Sequence, residues 1–154
     1  MQPHPDFAGT TLPRSADLGL FRLTPLGPGA VDEDFAAVTG SARVLVGQFG
    51  SDWPSGLTLE DNRIDLAWHE REFTLCRSFA WILRDAVGTY LGCAYIYPEP
   101  GERGQGKINL WLVDRADRLE LILPFRDRLA KWLEPWLPQG SQYVWAVNDQ
   151  AMPT

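Results

Sequence analysis

The 154-residue chain has the length of one domain, and at 45% hydrophobic and 22% charged residues it can bury a core without disulfides or metal. Its formal charge of −6 excludes the concentrated basic surface that nucleic acid or an anionic membrane requires. No run approaches the roughly 18 uncharged apolar residues of a membrane-spanning helix. With no basic or apolar leader at its start and only Cys76 and Cys93, the chain is expected in the cytoplasm.

Residues 1–18 carry three prolines and little apolar periodicity, which predicts a flexible N-terminal arm ahead of one domain over 19–150. Leu20 to Leu26 alternates as a short strand until Gly27-Pro28-Gly29 breaks it. Val31 to Thr39 reads as a helix with Asp32, Glu33 and Asp34 favourably placed in its first turn, and Gly40 as its stop. Residues 47–56 read as a loop in which Trp53 either lines a pocket mouth or anchors the loop to the core. Thr58-Leu59-Glu60-Asp61 resembles a capping box and opens a helix whose apolar stripe is Leu59, Leu66 and Phe73, with Ile64 and Trp68 alongside.

From Ser78 the period changes to two. Phe79, Trp81 and Leu83 alternate with Ala80, Ile82 and Arg84, and residues 85–88 turn into a second strand over Thr89 to Tyr97. This hairpin sets Cys93 opposite Ala80 or Trp81, away from Cys76, so no disulfide is expected. After a Pro- and Gly-rich loop, Lys107 to Asp114 is a third strand, apolar on both faces at its end and therefore central. Pro124 favours a helix start at that residue, because proline suits the first helical position and costs about 3 kcal/mol inside. The buried stripe is then Phe125, Leu129, Trp132, Leu133 and Trp136. Gln142 to Val147 is the final strand. The fold class is α/β (α+β), in the order β-α-α-β-β-β-α-β.

That order, with Trp68-His69-Glu70-Arg71-Glu72-Phe73 closing the second helix, Leu91-Gly92-Cys93-Ala94-Tyr95-Ile96-Tyr97-Pro98 and the strand core Leu110-Trp111-Leu112-Val113, resembles the GNAT acyltransferase superfamily from residue 20 to about 148. The resemblance implies a central, mostly antiparallel mixed sheet flanked by helices. It also implies acetyl-CoA as co-substrate and a small amine as acceptor. By resemblance, Trp111, Leu112 and Val113 would supply backbone contacts to the cofactor.

Two departures stand out. The superfamily's glycine-bearing loop exposes backbone N–H groups to the pyrophosphate. Here the stretch is Asp114-Arg115-Ala116-Asp117-Arg118-Leu119-Glu120, without glycine. At an effective dielectric of 20, one unpaired carboxylate about 6 Å from a phosphate charge costs roughly 3 kcal/mol, so Arg115 and Arg118 would have to neutralise the acids and meet the ligand. Arg103-Gly104-Gln105-Gly106 has suitable residue types but precedes a strand, not a helix, and reads as a hairpin loop. The sequence also ends before the helix and two strands with which the family usually continues.

The acid–base candidates are Tyr95, Tyr97 and Glu72. His69 with Glu70 and Glu72 points in divergent directions, so no metal is expected. Three readings follow: an acyl-CoA-dependent N-acyltransferase with a degraded pyrophosphate loop, a non-catalytic small-ligand-binding module, or an interaction module that dimerises through a strand edge or the final helix.

Overall fold

The computed structural model describes residues 2–152. They build one six-stranded sheet in sequential order from β1 to β6, antiparallel up to β5 and parallel between β5 and β6. The strands are β1 (Ala16–Asp17), β2 (Arg22–Pro25), β3 (Phe79–Arg84), β4 (Tyr90–Pro98), β5 (Gln105–Leu112) and β6 (Gln142–Val147). Helices α1 (Val31–Gly40), α2 (Ala42–Leu45) and α3 (Leu59–Thr74) precede β3, and α4 (Arg118–Leu133) makes the crossover from β5 to β6. Among the described residues no helix is long and apolar enough to cross a membrane.

Alternation along the strands divides the core into two layers. Trp81, Leu83, Leu110 and Leu112 pack with Phe125, Leu129 and Leu133 of α4, and Ala80, Ile82, Cys93, Tyr95 and Trp111 pack with residues of α1, α2 and α3. Opposite Leu83 and Arg84, β4 bulges, so that Arg84 pairs with Tyr90 and Leu83 with Gly92. The extra residue brings Tyr90 and Cys93, three apart, onto one face. Gly92 is required beside it. A Cβ there would stand 1.9 Å from the Trp111 carbonyl oxygen.

Four expectations are corrected. The arm is built into the core: Phe7 and Leu12 are buried, the Trp81 indole donates to Pro13 O at 3.0 Å, and Asp6 accepts from Gly104 N and the Tyr143 hydroxyl. Cys93 pairs with Ile82, because the register is offset from the one the turn implied; both cysteines are free, as expected.

The buried face of α3 is largely polar. Leu66 and Phe73 are buried as expected, but Leu59 and Ile64 are 37% and 62% exposed and Trp68 is exposed, while Asn62, His69 and Glu72 are inside. The capping box at Thr58 does form, with Thr58 Oγ1 accepting from Asp61 N at 3.1 Å. Finally, α4 starts at Arg118 and runs through Pro124. Proline forfeits the bond to the Glu120 carbonyl, but Glu120 lies on the exposed side, where water replaces the lost donor. Burying Ile122 at about 1.5–3 kcal/mol offsets the rest. Trp132 and Trp136 are half-buried, their rings 4.7 Å apart.

Candidate functional site

Of the places that could receive a small molecule, two adjoin most of the residues expected to act. One is the wedge where β5 and β6 part, beyond the last pair, Leu110 with Val147. The other is a pocket of about 370 Å³ under the 47–56 loop, walled by that loop, α3 and β4.

The wedge is closed by the chain itself. Just past β6, the Asn148 side-chain amide takes the place of a strand: Leu112 N donates to its Oδ1 at 2.9 Å, and its Nδ2 donates to Leu112 O at 2.8 Å. Nδ2 also reaches Val44 O at 3.4 Å. Gln48 Nε2 bridges the strands lower down, to Ala146 O at 3.0 Å and Leu110 O at 3.4 Å. The next two donors on the β5 side are also engaged, Val113 N by Leu91 O and Asp114 N by Ser41 Oγ, both at 2.9 Å.

At the start of α4 the arginines are occupied. Arg118, only 4% exposed, donates to the Asn148 and Gln150 carbonyls; Arg115 pairs with Asp117, and Asp114 with Arg43. The Asp114 carboxyl is held below its ordinary range, chiefly by the hydrogen bond from Arg43. Acetyl-CoA, which the resemblance implies, would need backbone amides along β5 and positive charge at the helix start. Of the residues expected to meet it, Leu112, Val113, Arg115 and Arg118 are satisfied within the chain, and the Trp111 ring is buried with its Nε1–H on Tyr95. In this conformation the wedge does not fit the cofactor.

The pocket differs in kind. Phe49 and Trp53 meet edge to face at 4.9 Å, and Phe49 meets Tyr95 the same way at 5.4 Å. Tyr95 and Tyr97 stack at 5.6 Å, and His69 lies against both, with Trp68 on its other side at 5.1 Å. Thus Trp53 does both things expected of it as alternatives: it lines the pocket and, at 6.5 Å from the Trp111 ring, anchors the loop. His69 Nε2 is 3.3 Å from Asp65 Oδ2, one helical turn earlier. Its Nδ1 is buried without a partner.

Tyr95 and Tyr97 are therefore brought together, whereas Glu72 is not. It faces a separate cleft of about 570 Å³ at the arm, with Arg77 Nε 3.2 Å from its carboxylate. Burial pushes both tyrosine phenols up, so neither supplies a base near neutral pH. Among the described residues no cluster of His, Cys, Asp or Glu could hold a metal.

Gln48, Phe49, Asp65 and Asn148 had no assigned role in the sequence. The polar series Asn62, His69, Glu72 at helical spacing was a legible sign of a polar inner face, as was the aromatic pair Phe49 and Trp53 in a glycine-bearing loop. Asn148, after the last strand, carried no such signal.

No protein-family sequence model matches the chain, and no curated protein sequence does. Solved structures match in fold. The microcin C7 self-immunity acetyltransferase MccE, in complex with acetyl-CoA and AMP, gives a TM-score of 0.63 at 9% identity, over 88% of this chain and 74% of that one. RimL, the ribosomal L7/L12 alpha-N-protein acetyltransferase, gives 0.59 at 15% over 81% and 70%. The ribosomal-protein-S5-alanine acetyltransferase from Vibrio fischeri gives 0.57 at 10% over 77% and 68%. At these identities the likeness is one of fold.

Proposed function

We propose that this chain, which has the GNAT acetyltransferase fold, is a small-ligand-binding module whose working site is the aromatic pocket, with its cofactor wedge sealed from within. One observation carries the reading: both backbone polar groups of Leu112 are held by the Asn148 amide, where a cofactor amide would have to pair. Admitting such a ligand means breaking these two bonds and the two that Arg118 makes to tail carbonyls. At about 1 kcal/mol for a neutral bond and about 2 for a charged one, the surcharge is on the order of 6 kcal/mol, or more than ten-thousandfold in affinity. Fold alone does not restore the activity, since one fold hosts many functions.

A second reading is favoured by the neighbours, which include complexes with acetyl-CoA and with coenzyme A. In it the 148–150 segment withdraws, and the chain transfers an acyl group from acetyl-CoA to a small amine. Melting curves with millimolar acetyl-CoA, CoA and desulfo-CoA separate the two. The binding-module reading expects no shift. A rise of several degrees, the effect of about 2.7 kcal/mol at a hundred times Kd, overturns it in favour of the transferase.

A further inference from the structure

The aromatic pocket has a chemistry that narrows its ligand. Its side chains include six rings, those of Phe49, Trp53, Trp68, His69, Tyr95 and Tyr97, and no Lys or Arg. Its one carboxylate, Asp65, is 57% exposed at the rim. An anion would meet ring faces and a negative charge there, with no counter-charge. A cation meets the negative faces of the rings and a carboxylate beside them. The one unmet polar demand is His69 Nδ1, in a residue 95% buried that lines the cavity. With a proton on Nε2 directed at Asp65, Nδ1 is left as the acceptor of the ring, and it lacks a donor.

Resting on the binding-module reading, we infer that the pocket holds a small tertiary ammonium: a cation whose methyl groups lie on the rings and whose single N–H donates to His69 Nδ1. A primary ammonium brings three N–H groups to one buried acceptor, and a quaternary one brings none.

The test is a ligand-observed NMR titration of the full chain with dimethylaminoethanol, its uncharged isostere isoamyl alcohol, choline and ethanolamine. Dimethylaminoethanol is expected to bind at least tenfold tighter than isoamyl alcohol and several-fold tighter than choline or ethanolamine. His69→Leu should abolish the preference over choline while retaining that over isoamyl alcohol. Trp68→Leu, on an exposed ring, should weaken dimethylaminoethanol severalfold with an unchanged melting temperature. Equal binding of isoamyl alcohol, equal binding of choline or ethanolamine to the wild type, or no binding by any of the four overturns the inference. Acetylation of ethanolamine in the presence of acetyl-CoA would instead overturn the binding-module reading, and the dimethylaminoethanol comparison would still decide the ring site.

Discussion

The sealed wedge closes on Leu112 of β5 and the aromatic pocket is backed by its neighbour Trp111, and the two treat buried polar groups in opposite ways. At the wedge Leu112 N–H and C=O, the Asn148 amide and Arg118 all close on one another. At the pocket Trp111 helps form a wall through Trp53 and Tyr95, and His69 keeps a buried nitrogen with no partner. A satisfied network stabilises the fold and leaves little for a ligand to gain. An orphaned acceptor costs about 1–3 kcal/mol until something donates to it. The contrast locates binding capacity where the chain has left a demand open.

The largest test of that contrast is Gly92→Ala. The new Cβ would be driven onto the Trp111 carbonyl, so β4 and β5 must part next to the wedge. A loss of about 3 kcal/mol or more is expected in urea denaturation, and wild-type stability would mean that the wedge yields easily. Next comes Asn148→Ala, with a loss of about 2 kcal/mol as both Leu112 groups lose their partner. If acetyl-CoA then raises the melting temperature of the variant but not of the wild type, the amide is what excludes the cofactor. A loss near zero would show that water takes its place.

Asp34 offers a third, smaller test, because it is buried and satisfied like the wedge yet ionisable. Tyr90 and Asn62 donate to it at 2.5 and 2.9 Å. Burial raises its pKa above the ordinary 3.8, with the two hydrogen bonds pulling the other way. A raised folded-state pKa adds stability that is fully present below the unfolded value and lost as pH rises through the folded value. The stability of the wild type relative to Asp34→Asn should therefore fall as pH rises from 3.8 toward neutrality. A difference that grows over this range would contradict the assigned direction. The smallest stability effect is expected for His69→Leu, within about 0.5 kcal/mol of wild type or a gain, since removing an unpaired buried nitrogen offsets lost packing. A loss above about 2 kcal/mol would place His69 among the structural groups and erase the contrast.

What could be read beforehand was what neighbouring residues decide among themselves. Thr58 and Asp61 cap α3 because both partners lie within one turn, and β3 to β5 alternate because their side chains face two apolar layers. Pro124 misled because the cost of an interior proline is local, whereas its compensation comes from Ile122 and Phe125 packing on a sheet formed elsewhere. Ile64 and Leu59 misled in the same way: their spacing is apolar, but the buried face carries His69, Glu72 and Asn62, the last bonded to Asp34 of α1. In the site, Trp53, His69, Tyr95 and Tyr97 stood out as side chains. The wedge did not, because its closure depends on Asn148 meeting a strand 36 positions earlier.

The docked arm has a consequence for the order in which this protein can be completed. Consecutive strands are neighbours throughout the sheet, and β3, β4 and β5 form antiparallel hairpins that can pair as soon as each is made. Asp6 reaches across that whole order. One of its bonds joins a residue 98 positions later and another a residue 137 positions later, so the ribosome must finish β6 before Asp6 can make both. Phe7, whose ring meets that of Phe79 at 4.9 Å, needs only β3 to be made, so the segment docks its ring well before it makes its last polar bond.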